Sequence, residues 1–197
     1  MKKVSSGNIT ETVALLVERV SFSVPRGIRE KLRVARNAEK GAARRYLDAV
    51  LENMRVAKKI HVPICQDTGI GVVFVEMGPD VSIRYSKGDN LLTAVNRGIK
   101  EGYRRHYLRK SVAGALDRKN TGDNTPAVVH VIPQHGEVLR ITLMAKGFGA
   151  ENTSRLAMLS PGDGREGIEE FISDTVVRAG SNACPPMVLG VLSLIHI

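Results

Sequence analysis

The spacing of the apolar residues changes near residue 60, and this change constrains the fold more than any other feature of the sequence. Before it, apolar side chains recur every three or four residues, as they do along one side of a helix. The pattern predicts three helices: one from Thr10 to about Pro25, one over residues 26–37 and one over residues 40–58. Most of the first sixty residues should therefore be helical.

Beyond residue 60, short runs rich in β-branched residues are bounded by glycine and proline, a pattern typical of strands. Strands are predicted at residues 72–76, 81–85, 127–132 and 137–145. Gly78-Pro79-Asp80 separates the first two and indicates a hairpin. Two more helices should begin near Asn90 and span Arg165 to Ala179, the second ending at Gly180. The sequence thus predicts an α/β fold of mixed α+β layers, in which a helical N-terminal part, residues 1–60, packs on the same domain as a mixed sheet with hairpins and flanking helices.

The chain carries a formal net charge of +9, and the first sixty residues contribute +8 of it from 14 basic and 6 acidic side chains. Such an excess attracts nucleic acid, a dianionic substrate or an acidic partner protein. Aromatic residues make up only 4% of the chain and Trp is absent, which leaves few stacking platforms and argues against nucleic acid. No apolar run could span a membrane and the N-terminus does not resemble a signal peptide, so a soluble, cytoplasmic protein is expected.

The segment VPICQDTG, residues 62–69, combines side chains that are typical of active sites. The Cys65 thiolate could bind a metal, Gln66 could hydrogen-bond a substrate oxygen, and Asp67 could transfer a proton. A buried cysteine beside an ordinary turn explains the same residues equally well. The residue types alone therefore leave both interpretations open.

The second cysteine, Cys184, lies in GSNACPP, residues 180–186, just past the predicted end of a helix. Two prolines follow it and restrict the backbone, as proline does beside the cysteines of iron–sulfur loops. An incidental cysteine at a helix end is an equally simple explanation. A reducing cytoplasm disfavours a disulfide between Cys65 and Cys184, so free thiols, metal ligands or a nucleophile are expected.

Two further motifs carry groups that suit an anionic ligand. KGFGAEN, residues 146–152, follows a predicted strand, and Gly147 and Gly149 let backbone N–H groups face an anion. The basic string from Tyr103 to Ser111 includes Arg109, whose guanidinium could hold a carboxylate by two parallel hydrogen bonds. A glycine turn of purely conformational origin and a solvated helix end explain the two motifs without any ligand.

The histidines of the chain show no spacing that is typical of a metal site. They are His61, His106, His130, His135 and His196. Together with only two cysteines they make a weak case for zinc, which stays a minor alternative.

The motifs VPICQDTG, YLRKS, NTGDNTPA, KGFGAEN and GSNACPP follow one another along the chain. In this order they resemble the alpha subunit of two-subunit class I fumarate hydratases and L(+)-tartrate dehydratases, and the N-terminal domain of the single-chain iron–sulfur fumarases. The resemblance extends over about residues 10–190. The two cysteine motifs are its most specific part.

The resemblance implies a hydro-lyase that interconverts fumarate and malate, or alternatively dehydrates L(+)-tartrate, at a [4Fe-4S] cluster with three cysteine ligands and one open iron. It implies that Cys65 and Cys184 are cluster ligands and that residues 61–190 form the cluster-binding part. Gln66 and Asp67 match the family's catalytic and substrate-contacting pair, and Arg109 matches its carboxylate-binding arginine. The remaining matches to substrate-binding positions are Gly147 and Gly149.

The resemblance also implies that the chain needs further protein. The family's third cysteine follows the CPP motif, and this sequence reaches Ile197 without one, so the cluster site could be empty. Residues 191–197 form an atypical apolar tail that a truncation, a frameshift or a cloning scar would explain. A beta subunit should supply the remaining acid–base groups in an oligomer, so the isolated chain is expected to be inactive. A non-catalytic fragment that cannot assemble a cluster is a further alternative.

Overall fold

The computed structural model of the chain describes residues 1–184 and 187–193. It divides into two compact units, Met1–Lys146 and Gly147–Ile197. Residues 194–197 of the predicted tail lie outside the described residues, as do the two prolines of the GSNACPP motif. The predicted divisions of the chain at residues 60 and 190 stay predictions.

The helices and strands confirm an α/β fold. In chain order they are β1 (Lys2–Ser5), α1 (Ser6–Phe22), α2 (Arg26–Ala38), α3 (Gly41–Ile60), β2 (Ile70–Met77), β3 (Val81–Arg84), α4 (Leu91–Arg105), β4 (Val128–Pro133), β5 (Leu139–Lys146), α5 (Phe148–Glu151) and α6 (Gly164–Ala179). Two 3-10 turns, Pro161–Asp163 and Gly180–Ala183, flank α6. In the described part of the chain, no helix is both long and apolar enough to cross a membrane.

The first helix begins earlier than its sequence pattern suggests. Ser5 is its N-cap: the Ser5 hydroxyl accepts the Asn8 N–H at 3.1 Å, and the Asn8 side chain accepts the Ser5 N–H at 3.2 Å. The predicted start at Thr10 is wrong because the Thr10 hydroxyl donates to the Ala94 carbonyl of α4 at 2.9 Å instead of capping α1. This hydrogen bond fastens α1 to α4.

The other predicted helices are confirmed, and their ends lie within two residues of the expected positions. Asn90 caps α4, because its side chain accepts the Thr93 N–H at 2.9 Å. Helix α6 ends at Gly180, whose φ of 49° lies in the left-handed region that glycine adopts most easily. The start of α4 and the end of α6 therefore follow from their capping residues.

The three-stranded sheet has the order β4-β2-β5, with β2 parallel to β4 and antiparallel to β5. The predicted hairpin across Gly78-Pro79-Asp80 is wrong, because β3 pairs in parallel with β1 and not with β2. The Gly78 N–H donates to the Val138 carbonyl at 2.9 Å, and a Cβ on Gly78 would lie 2.0 Å from the Gly136 carbonyl oxygen. The turn after β2 thus packs on the connection between β4 and β5, and the chain leaves the sheet there.

Helices α1 and α4 pack together and against one face of this sheet. The helices approach closely at Gly98 and Gly102 of α4, where an added Cβ would lie 2.6 Å from the Thr10 carbonyl oxygen and 2.7 Å from the Val17 Cβ, respectively. The largest buried residues of the resulting core include Ile9, Val13, Val17, Val73, Val75, Val95, Ile99 and Tyr103. Helix α4 therefore carries both a close contact with α1 and a buried tyrosine.

The second unit contains α5, α6 and the two 3-10 turns. Helix α5 packs against the 3-10 turn Gly180–Ala183. The Arg155 guanidinium donates to Asp174 at 2.7 Å and lies 5.1 Å from the centre of the Phe171 ring. These contacts fasten the segment between α5 and α6 to α6 itself.

Candidate functional site

The CQDTG segment connects the end of α3 to the start of β2. His61 ends α3 in the left-handed conformation, with φ 55°. The main chain of Ile64 is then held on both sides: its N–H donates to the Ser21 carbonyl of α1 at 2.9 Å, and its carbonyl accepts the Asn53 amide of α3 at 2.9 Å. Cys65 therefore follows a residue whose position is fixed by two helices.

The Cys65 side chain is half-buried, and its thiol is free. Its sulfur accepts the Asp67 N–H at 3.4 Å and lies 3.5 Å from the Gln66 side-chain oxygen. Hydrogen bonds to sulfur are among the features by which proteins tune iron–sulfur centres. Three of the predicted site residues, Cys65, Gln66 and Asp67, thus lie together in one turn.

Tyr103 of α4 holds the main chain just after these residues. Its hydroxyl lies 2.7 Å from the Thr68 carbonyl oxygen and 3.1 Å from the Gly69 carbonyl oxygen, to which it donates. The residue is only 2% exposed, and this burial, which disfavours the charged phenolate, raises the pKa of Tyr103 to about 12. The hydroxyl therefore stays a donor at neutral pH.

Asn124 joins the same turn to two other motif loops. Its amide nitrogen donates to the Gly69 carbonyl at 3.1 Å, and its side-chain oxygen accepts the N–H groups of Ser111 at 2.7 Å and Val112 at 3.3 Å. Asn124 is completely buried and has φ 63°, a conformation that asparagine tolerates better than most residues. We term the side chains of Tyr103 and Asn124 the motif frame, because they connect VPICQDTG, YLRKS and NTGDNTPA.

Arg109 lies beside the turn through its main chain. Its carbonyl accepts the Thr68 hydroxyl at 2.5 Å, and its side chain is exposed. Two residues further on, the Ser111 hydroxyl is buried and has no hydrogen-bond partner among the residues that the structure describes. The exposed Arg109 guanidinium is therefore accessible to an anionic ligand, whereas the Ser111 hydroxyl is shielded from solvent.

The second unit brings the other two motifs together. Gly147 is the N-cap of α5 and Gly149 lies within this single helical turn, so the predicted glycine turn is in fact helical. Helix α5 contacts the 3-10 turn that immediately precedes Cys184. Cys184 is exposed, carries a free thiol and has φ 53°. The glycine motif and the second cysteine therefore belong to the same corner of this unit.

The sequence pattern does not single out the motif frame. Tyr103 looks like one more apolar residue along α4, and Asn124 looks like one polar residue of a loop. The NTGDNTPA motif contains Asn124 and was the available signal. Its role depends on a contact with Gly69, 55 residues earlier, which local patterns do not encode.

Comparisons with known proteins confirm the family resemblance. The putative L(+)-tartrate dehydratase subunit alpha of Methanocaldococcus jannaschii is 31% identical over 189 residues, which are 93% of this chain and 66% of that protein. The L(+)-tartrate dehydratase subunit alpha of Escherichia coli strain K12 is 28% identical over 196 residues, 96% of this chain and 63% of the relative. The subunit of the same name from Shigella sonnei gives the same values.

The match is broad along this chain but covers only part of the relatives. The chain spans 63–66% of the length of these curated proteins. A family model described as fumarate hydratase (Fumerase) matches residues 10–192. With nearly all of its residues inside that match, the chain belongs to the fumarate hydratase (Fumerase) family.

Proposed function

We propose that this chain is the alpha subunit, or a part of the alpha subunit, of a hydro-lyase that interconverts fumarate and malate. Family membership and the relatives named as dehydratase alpha subunits support this proposal. The observation that carries it is the motif frame, in which Tyr103 and Asn124 hold the Cys65 turn next to the Arg109 loop. Buried hydrogen bonds are used here to fix a turn that contains a thiol, an amide and a carboxylate.

A [4Fe-4S] cluster is the cofactor that we propose, with Cys65 and Cys184 as two of its thiolate ligands. The donor set suits such a group, because both thiols are free and the Cys65 sulfur accepts a backbone N–H. The third cysteine would come from residues beyond this sequence, which contains two. When bound, the cluster supplies an open iron that acts as a Lewis acid toward the substrate hydroxyl.

Gln66 and Asp67 are the proposed catalytic residues of this chain. Dehydration requires removal of a proton from the carbon beside a carboxylate, and a carboxylate side chain such as that of Asp67 can take part in this transfer. The Gln66 amide would hydrogen-bond a substrate oxygen and orient the substrate. Both side chains adjoin Cys65, so chemistry and cofactor binding would use the same turn.

Arg109, Gly147 and Gly149 are the proposed substrate-binding residues. A four-carbon dicarboxylate carries two negative charges, and a guanidinium can hold one carboxylate by two parallel hydrogen bonds. Main-chain N–H groups in a glycine-containing segment suit the oxygens of the other. The net charge of +9 would further favour capture of a dianion.

A beta subunit is the proposed partner, in an oligomeric and cytoplasmic assembly. Relatives named as alpha subunits support this inference. The beta subunit would complete the acid–base groups, so this chain by itself is expected to be inactive.

L(+)-Tartrate is the second candidate substrate, and the names of the relatives favour it. Tartrate carries one hydroxyl group more than malate, so a site built for it must satisfy an additional polar group. The ratio of kcat/KM for L(+)-tartrate and malate in the reconstituted complex would decide between the two substrates.

Anaerobic reconstitution of the full-length alpha chain with the beta subunit tests the proposal. The unsubstituted complex should incorporate iron and sulfide and hydrate fumarate. Cys65→Ser should lose the cluster absorbance and the activity, whereas Ser82→Ala, an exposed change on β3, should leave both unaltered. A complex that takes up no iron and sulfide would support a non-catalytic fragment, and an unchanged spectrum in Cys65→Ser would refute the ligand assignment.

A further inference from the structure

Glu18, His61 and His106 form a cluster on the first unit that none of the proposed catalytic steps uses. The Nε2 atom of His61 lies 3.7 Å from one carboxylate oxygen of Glu18, and the Nε2 atom of His106 lies 3.7 Å from the other. One potential ligand atom from each residue lies within 4.8 Å of the other two. Three residues that are far apart in sequence thus direct two imidazoles and a carboxylate at one point.

These distances are close to those of a metal site. Zinc binds nitrogen and oxygen at about 2.0–2.2 Å, so the ligand atoms around a tetrahedral zinc are about 3.3 Å apart. The two contacts of Glu18 exceed this separation by only a few tenths of an ångström. A small movement of the exposed His61 ring within its own plane would close the remaining gap.

The environment of the cluster favours a cation for a second, independent reason. His61 follows the C-terminus of α3, and His106 follows the C-terminus of α4. Helix C-termini carry a partial negative charge, which adds to the charge of Glu18 at the point where both helices end.

Phe22 fixes the orientation of both imidazole rings. It is buried, stacks on His61 with ring centres 4.2 Å apart, and meets His106 edge-on at 5.4 Å. An apolar wall of this kind holds ligand rings in place and limits access of solvent to one side of a metal site.

We propose that Glu18, His61 and His106 bind one divalent metal ion, in a site that uses neither cysteine. Two imidazoles and one carboxylate are ligands that Zn²⁺ accepts, with water in the fourth position. The ion would join α1 to the ends of α3 and α4. His61 precedes Cys65 by four residues and His106 precedes Arg109 by three, so the ion would anchor both loops of the candidate site.

Zinc titration by calorimetry tests the proposal on the full chain without an affinity tag. Cys65 and Cys184 are replaced by serine in this parent protein, so that thiolates cannot take the metal. The parent should bind one equivalent of Zn²⁺, and its melting temperature should rise with the Zn²⁺ concentration. Absence of zinc uptake by the folded parent would overturn the proposal.

Two variants of the parent locate the site. Glu18→Gln keeps the shape of the side chain, and His61→Asn suits the left-handed backbone at that position, so both should fold. Each should weaken Zn²⁺ binding by at least the roughly 10- to 100-fold that loss of an outer-shell partner costs. His135→Asn, a matched change at an exposed histidine between β4 and β5, should bind zinc like the parent. Equal affinity in all three variants would refute the site.

A measurement on the parent protein alone gives an answer that does not depend on the folding of any variant. Paramagnetic Co²⁺ should shift the imidazole ring-proton resonances of His61 and His106 in the NMR spectrum. The corresponding resonances of His130 and His135 should stay in place. Shifts confined to His130 or His135 would contradict the proposal.

Discussion

The motif frame predicts a stability difference between Tyr103→Phe and the unsubstituted chain that changes sign with pH. Phenylalanine keeps the buried ring and removes only the hydroxyl, which donates to the Thr68 and Gly69 carbonyls. The Gly69 carbonyl retains the Asn124 amide at 3.1 Å, so Thr68 bears most of the loss. A buried acceptor left without its donor costs about 1–3 kcal/mol. Because the Gly69 carbonyl keeps its bond to Asn124, we expect Tyr103→Phe to lower the free energy of unfolding by about 1–2 kcal/mol at pH 7.

Titration of the tyrosine reverses this order in alkaline solution. The pKa of Tyr103 is raised from its ordinary value of 10 to about 12 by burial, so folding favours the neutral form. The stability that comes from this difference in pKa is fully present below pH 10 and is lost as pH rises through 12. The full loss corresponds to about 2.7 kcal/mol, of which about 1.4 kcal/mol is gone at pH 11. Tyr103→Phe cannot lose it, so the two proteins should be about equally stable near pH 11 and the variant should be more stable at pH 12.

Urea unfolding followed by circular dichroism at pH 7, 9, 10, 11 and 12 measures the difference. Other groups titrate over the same range, but they do so in both proteins and cancel in the comparison. Tyr46→Phe is the matched control, because Tyr46 is 75% exposed on α3 and its loss should shift stability little at any pH. A difference for Tyr103→Phe that stays constant from pH 7 to pH 12 would refute the assignment of a buried, hydrogen-bonded hydroxyl.

Three further predictions concern packing, the second half of the motif frame and one carboxyl group. Gly98→Ala should lower the free energy of unfolding by about 1–3 kcal/mol, because the added methyl group would lie 2.6 Å from a carbonyl oxygen of α1. The control Gly27→Ala, which has open space around it, should raise that free energy by up to about 1 kcal/mol in the same urea assay. Asn124→Ala should lower the free energy of unfolding by at least about 2 kcal/mol, because it removes buried hydrogen bonds and leaves alanine with a positive φ. Asn124→Gly should lose less, since glycine adopts a positive φ without strain, and equal losses in the two variants would exclude backbone strain. Hydrogen bonds from the two arginines at positions 104 and 105 lower the pKa of Glu101 to about 2, so its carboxyl ¹³C resonance should titrate near pH 2. Its contribution to stability is present above pH 4.5 and lost as pH falls toward 2, and a midpoint near 4.5 would contradict these contacts.

The sequence predicted the helices well because their ends depend on local chemistry. Asn90 and Gly180 cap their helices through their own side-chain or backbone properties, so nearby residues suffice to find them. The start of α1 was missed because Ser5 and Thr10 are both good caps, and the hydrogen bond of Thr10 to α4 is what excludes it. Choosing between the two caps requires the packed structure.

Strand pairing illustrates the opposite case. The β-branched runs located the strands, but their partners depend on contacts between distant segments. Gly78 approaches the main chain of Gly136 too closely for a Cβ atom, and β3, which follows Gly78, pairs with β1 instead of β2. The candidate site also has one part that the sequence reveals and one part that it does not. The composition of the Cys65 turn pointed to the site, whereas the motif frame that holds the turn is visible only in three dimensions.

The motif frame also separates stability from chemistry at the candidate site. Tyr103 and Asn124 hold main-chain atoms of residues 68, 69, 111 and 112, so none of the frame's hydrogen bonds uses the side chain of Cys65, Gln66 or Arg109. Substitution of these three side chains should therefore leave the frame's hydrogen bonds in place, and a loss of activity at them would report on ligand binding or catalysis. A frame substitution would instead lower stability and activity together, because it displaces the turn. Comparing the two classes of variant in one reconstituted complex distinguishes residues that act on the substrate from residues that position them.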